Sequence, residues 1–285
     1  MQQFTIEALA KPLRLDTDIT HGLPRAIFYR LEEGFARGSI LSLALLVTVS
    51  PVLGQVPSLE AWDIHDLDRP QPQIVTPGEL TSSPAPSDAI VLFDGTNFDE
   101  WTHANGDPVV WYLRDGYMEV KPGTGIIKTI RSFGDVQLHI EWATPNSGEG
   151  QDSGNSGVYL MSTYEVQVLN SFNNKTYPDG QAASLYGQYP PLVNASRPPL
   201  EWQSYDIVFR RPHFEEDGSL KEPARVTVFH NDVLVQDNVI LTGPSGHKSR
   251  PPYKAHEDAL PLFLQDHNEP TRFRNIWIRE LESDI

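Results

Sequence analysis

From residue 89 onward the chain alternates short runs rich in Val, Ile, Tyr, Phe and Trp with turn residues, and no stretch places apolar residues at helical spacing over three turns. That pattern constrains the fold most. Strands are expected at 109–113, 117–121, 125–130, 136–142, 157–161, 164–169, 204–210, 225–230, 233–237, 260–265 and 273–281. Arg114-Asp115-Gly116 reads as a hairpin turn, with Gly where a positive φ is required. Many short strands with no helices between them imply an antiparallel sandwich or jelly roll, because helical crossovers are what parallel sheets need. The 20 Gly and 24 Pro among 285 residues agree with a strand-and-loop architecture. Phe273, Ile276 and Ile278 cannot share one face under strict alternation, so a β-bulge is expected near Arg274-Asn275.

The first 88 residues read differently. The ten-residue apolar run from Ile40 to Val49 follows Arg37 and precedes Pro51 and small residues. It has the length of a signal-peptide apolar region, whereas a spanning helix needs about 20 apolar residues. Val52 and Gly54 fit the small-residue cleavage pattern, so the expected mature chain begins at Gln55 and is exported, periplasmic or extracellular. Glu7, Asp16, Asp18, Glu32 and Glu33 are residues a leader normally avoids, which fits a start further downstream. Residues 1–54 are thus read as a disordered extension with a signal peptide. Residues 55–88 carry Pro57, Pro70, Pro72, Pro77, Pro84 and Pro86 and read as an extended linker, and 89–283 form the domain.

Charge and cysteine content remove several classes of function. A formal charge of −16 argues against a nucleic-acid partner or an anionic membrane surface, since phosphate binding starts from clustered Lys and Arg. No integral membrane span is expected. Without cysteine there is no disulfide, thiolate metal site or Cys nucleophile. His247, His256 and His267 match no familiar ligand spacing, Asp232, Asp237 and Asp258 form no calcium loop, and no Gly-x-Ser-x-Gly elbow is present. No metal ligand is assigned, and no cofactor is demanded. Glu, Asp, Asn and His gathered in one groove would nonetheless be donors that a divalent ion can use.

Alternation singles out polar residues. In Tyr164-Glu165-Val166-Gln167-Val168-Leu169 the residues Tyr164, Val166 and Val168 point to the core, and Glu165 and Gln167 stand about 7 Å apart on the opposite face. Most such outer-face residues are simply solvated; two polar groups over a curved sheet can also work on a ligand. Asn155, in Asp152-Ser153-Gly154-Asn155-Ser156-Gly157, sits in a turn before a strand and can present its amide to a hydroxyl. Gln265-Asp266-His267-Asn268 puts a carboxamide and an imidazole at a strand end, where His267 is a candidate general base. Trp101, Trp111, Trp142 and Trp202 are candidates for the core or for stacking on a sugar ring.

The motifs, in order, resemble one family. Leu92-Phe93-Asp94-Gly95-Thr96 with Trp101, then Asn155-Ser156-Gly157-Val158-Tyr159-Leu160, Tyr164 to Leu169 and Ser184-Leu185-Tyr186-Gly187 are similar to the 3-keto-disaccharide hydrolase family. Glu201-Trp202-Gln203, His230-Asn231-Asp232, Leu264-Gln265-Asp266-His267 and Phe273-Arg274-Asn275-Ile276-Trp277-Ile278 continue it across 89–283. Gln203 stands where members often have Asn, and Asn231-Asp232 where Asn-Gly is usual.

The resemblance implies a concanavalin A-like antiparallel β-sandwich (a jelly roll) whose concave face binds sugar. It also implies a substrate, a 3-keto-glycoside, made by a separate sugar 3-dehydrogenase. Cleavage would be by hydrolysis or by C2-proton abstraction, elimination and hydration, chemistry that needs no paired carboxylates. On this reading Glu165 and His267 are the catalytic pair, one as C2 base and the other as acid or orienting group. Asn155, Gln167, Tyr186, Gln265, Asp266 and Arg274 hold the sugar or its enolate. A non-catalytic carbohydrate-binding module on an exported protein is the competing reading, since the same sandwich serves both.

Overall fold

The computed structural model describes residues 61–80 and 83–282. All of them belong to one compact unit, Gln55–Ile285. The apolar run 40–49 and the expected new terminus at Gln55 lie outside the described residues.

In chain order the strands are β1 (Gln73–Ile74), β2 (Ile90–Phe93), β3 (Trp101–His103), β4 (Tyr112–Arg114), β5 (Tyr117–Glu119) and β6 (Ile127–Phe133). They continue as β7 (Val136–Ala143), β8 (Ser156–Leu160), β9 (Tyr164–Val168), β10 (Val193–Asn194), β11 (Gln203–Arg210) and β12 (His213–Phe214). The last are β13 (Leu220–Glu222), β14 (Arg225–His230), β15 (Val233–Ile240), β16 (Leu260–Leu264) and β17 (Arg272–Glu280). Among the described residues helix is limited to short 3₁₀ turns, such as Gly150–Asp152 and Pro178–Gly180. No helix among the described residues is long and apolar enough to cross a membrane.

Two antiparallel sheets make the concanavalin-like sandwich. One runs β15-β14-β11-β7-β17-β5-β4 with β2 also on β17, and the other runs β3-β6-β16-β8-β9. Period-two alternation builds the core between them. Leu138, Ile140 and Trp142 on β7, and Tyr205, Ile207 and Phe209 on β11, meet Val158, Leu160, Tyr164, Val166 and Val168 from the smaller sheet, all of them buried. Each such large side chain contributes roughly 1.5–3 kcal/mol by leaving water.

The expected turn details are present. Asp115 (φ 37°) and Gly116 (φ 82°) close β4 on β5, and Asn231 (φ 52°) and Asp232 (φ 65°) close β14 on β15, the left-handed pairs a two-residue hairpin demands. The β17 register shifts between Arg274 and Trp277, with Asn275 at φ 45°, so the expected bulge is there.

Residues 61–69 wind through turns, residues 70–80 run on without helix, and the whole segment is pinned to the domain. β1 pairs in parallel with β10, Arg69 is 3% exposed, and the Gln71 amide donates to the Thr176 carbonyl at 3.0 Å.

Candidate functional site

The outer face of β8 and β9 is roofed by loops. The chain 183–189 runs beside β9, with Gln167 N–H donating to Ser184 O at 3.0 Å and Ala183 N–H to Gln167 O at 2.9 Å. The loop that carries His247 is tied down by Ser245, whose N–H donates to Thr163 O (3.1 Å) and whose Oγ accepts the Glu165 N–H (2.9 Å). These two loops turn an exposed sheet face into a cavity of about 190 Å³. Glu165 and Gln167 are therefore buried, 4% and 1% exposed, rather than solvated.

Glu165, Gln167, Asn155, Tyr186, Gln265 and His267 all line this cavity, so six of the eight residues proposed from sequence come together. Tyr159, Ser245, Gly246 and His247 complete the wall. Tyr159 is legible in hindsight: it is the residue of β8 directly opposite Glu165, on the same outer face. His247 comes from a loop with no periodic signal.

Glu165 is the one carboxyl in the wall among the described residues. Burial pushes it up to about 8, partly offset by a hydrogen bond from the Tyr159 hydroxyl. It is therefore mostly neutral at pH 7 and titrates close to working pH, where a proton-transfer group is most effective. The space it occupies exists because residue 157 is glycine: a Cβ there would meet Glu165 Oε1 at 2.5 Å. Tyr159 stacks on Phe263 with ring centroids 4.0 Å apart and takes a long contact, 3.4 Å, from the Gln265 amide. Gln167 Nε2 donates to Asn155 Oδ1 at 3.1 Å, and Asn155 Nδ2 donates to Gln151 O at 2.9 Å. Among the described residues Gln167 Oε1 has no partner, which leaves a buried acceptor suited to a ligand hydroxyl. His267 is exposed at the rim.

Asp266 and Arg274 are not in the cavity wall. Asp266 lies past the end of β16, and its oxygens accept the N–H groups of Gly125 (2.8 Å) and Asn268 (2.8 Å). Arg274 belongs to the other sheet: its Nε donates to Glu141 Oε2 at 2.6 Å, and its guanidinium lies 4.1 Å from the centre of the Trp202 ring. Trp202 is thereby covered by a cation, and Trp101, Trp111 and Trp142 are core. Among the described residues no group of three or more His, Asp or Glu is placed to hold a metal ion.

The 3-keto-alpha-glucoside-1,2-lyase-like domain matches residues 88–279, more than half of the chain. The chain belongs to that family. A candidate glycosyl hydrolase from Parabacteroides distasonis, solved as a crystal structure, is 44% identical, with a TM-score of 0.68 over 78% of this chain and 96% of that one. A second candidate glycosyl hydrolase from the same organism, 22% identical with a TM-score of 0.50, covers 68% of this chain and 94% of that one, and shares the fold. No curated protein matches the chain. Family membership gives the domain a carbohydrate-active, hydrolase-like character with a sugar as ligand.

Proposed function

We propose that the protein cleaves 3-keto-glycosides by removing the C2 proton and expelling the C1 substituent. The observation that carries this reading is the single carboxyl of the cavity, Glu165, buried and poised at about 8. An ordinary glycosidase needs two carboxylates flanking the scissile bond, to meet an oxocarbenium-like transition state. A C3 ketone removes that need by acidifying the C2 proton. The ionised Glu165 takes that proton; the C2–H pair becomes a C2–C3 enolate with its charge on the C3 oxygen. The enolate then re-forms the ketone as C1=C2 appears and the C1–O bond breaks, and the departing oxygen leaves with the bonding pair and picks up a proton. Later addition of water across C1=C2 makes the sum a hydrolysis.

Gln167, Asn155 and Gln265 supply amides for sugar hydroxyls or the enolate oxygen, and His267 at the rim orients the ring. A cavity of about 190 Å³ is smaller than the about 300–1,000 Å³ of a drug-sized pocket, which suits one sugar ring with the aglycone outside. Export, and a separate dehydrogenase that makes the ketone, belong to the same reading.

The test is incubation of the protein with a 3-keto-glucoside and, in parallel, with its unoxidised parent. Aglycone release from the keto sugar alone, with an ultraviolet-absorbing enone or its hydrate, is the expected result. Release from both points to a conventional glycosidase. Binding without release makes the domain a carbohydrate-binding module.

A further inference from the structure

His65 lies outside the matched domain, in the proline-rich segment, yet it is built into the wall behind the cavity. Its side chain is 7% exposed. Its N–H and ring Nδ1 both face Asp179, at 3.1 Å and 3.3 Å, and the Asp179 side chain is fully buried. Burial would raise the Asp179 carboxyl, but the two contacts with His65 and the charge of Arg69 hold it below its ordinary value, as a carboxylate. With Nδ1–H committed to that carboxylate, Nε2 is left buried with no hydrogen-bond partner among the described residues. The imidazole stacks on Tyr177 at 3.9 Å, 5.1 Å from the Tyr186 ring and 5.9 Å from that of His247. Tyr177 Oη and Tyr186 Oη are 3.0 Å apart, and Tyr186 Oη is 3.4 Å from His247 Nδ1. Asp179, His65, Tyr177, Tyr186 and the exposed His247 thus form one chain of contacts from a buried carboxylate, past the cavity wall, to solvent.

We infer that His65, locked by Asp179, is a positioning residue that holds the Tyr177–Tyr186 pair so that Tyr186 protonates the departing C1 oxygen. This rests on the elimination reading above. Both phenols are kept protonated by burial, and Tyr177 donating to the Tyr186 oxygen eases loss of the Tyr186 proton. As the C1–O bond breaks with its electron pair on oxygen, the Tyr186 Oη proton passes to that oxygen. The resulting phenolate regains a proton from water through His247, while the C2 proton on Glu165 returns to water, so protons balance over a turnover. Tyr186 is then catalytic rather than only sugar-binding, and residues 61–70 are part of the enzyme and not merely a tether.

The test uses the full chain and two keto substrates that differ in need for an acid: a methyl 3-keto-glucoside, whose alkoxide leaves poorly, and a 4-nitrophenyl 3-keto-glucoside, which leaves unaided. His65→Ala and Tyr186→Phe should each slow methanol release at least about tenfold and nitrophenol release no more than about threefold. His65→Asn, whose amide can replace Nδ1 toward Asp179, should recover most of the methanol rate. Equal losses on both substrates, or no loss on either, overturn the inference; if His65→Ala does not fold, Tyr186→Phe and His65→Asn decide by the same pattern. A wild-type protein inactive on both keto sugars removes the elimination reading and this role with it. An active wild type with unselective variants removes only the role.

Discussion

Each sheet buries ionisable groups on its outer face, and the two faces treat them in opposite ways. Behind the larger sheet, His139 and Glu141 are each 1% exposed and every charge has a close partner. His139 Nδ1 meets Asp206 Oδ1 at 2.8 Å, Asn275 Nδ2 donates to Glu141 Oε1 at 2.8 Å, Arg274 donates to its other oxygen, and Trp277 stacks on the imidazole at 5.2 Å. Burial alone would neutralise both groups. The hydrogen bonds from these partners win, raising His139 to about 9 and lowering Glu141 to about 2. On the smaller sheet Glu165 has, among the described residues, a phenol and no counter-charge, so burial wins and its carboxyl is raised. A saturated cluster can only hold the sheet together; an unsaturated carboxyl beside a cavity can exchange a proton with a ligand.

The largest effect that separates the faces is on stability. Glu141→Ala removes the buried carboxylate that holds Arg274 and Asn275, leaves the His139 imidazolium with Asp206 alone, and should cost about 3–5 kcal/mol in urea unfolding, while activity per folded molecule stays near normal. Glu165→Gln should do the reverse: turnover on a 3-keto-glucoside falls at least about a hundredfold, with unfolding midpoint equal to or above wild type, because an awkwardly buried acid has been neutralised. Near-normal turnover in that variant would sink the catalytic assignment.

Titration sharpens the contrast. With Glu165 as base, kcat/KM should rise with pH through an apparent value of about 8; a rate that falls through that value would make it the acid instead. Its folded value lies above the unfolded 4.5, so its stabilising contribution is full below pH 4.5 and is lost as pH rises through about 8. The folded value of Glu141 lies below 4.5, so its contribution is full above pH 4.5 and is lost as pH falls through about 2. The gap between wild type and Glu141→Gln in urea midpoint should therefore shrink on acidification.

The smallest effect concerns Arg274, expected from sequence at the sugar. Arg274→Ala should cost about 1 kcal/mol, since its guanidinium is a third exposed, and leave KM unchanged. A severalfold rise in KM would place it back in the binding site.

These outcomes also mark what the chain discloses before folding. Strict alternation through Tyr164–Val168 was enough to separate Glu165 and Gln167 from the core, and most of the cavity wall follows from neighbouring motifs. Alternation fails where β17 bulges, so the side of the sheet on which Arg274 stands could not be counted off. It also failed to say that the outer face is roofed. The roof comes from loops around Tyr186 and His247, and the support behind it from His65, which reaches Asp179 across 114 positions of sequence. Neither loop nor segment has a period to read; long-range hydrogen bonds place them.

The central claim is proton abstraction at C2, and the most direct measurement is the rate of aglycone release from a 3-keto-glucoside carrying deuterium at C2. The account predicts slower release from the deuterated sugar than from the ordinary one, with the deuterium lost from the product. Equal rates with deuterium retained at C2 would contradict it and return the chemistry to direct cleavage at C1.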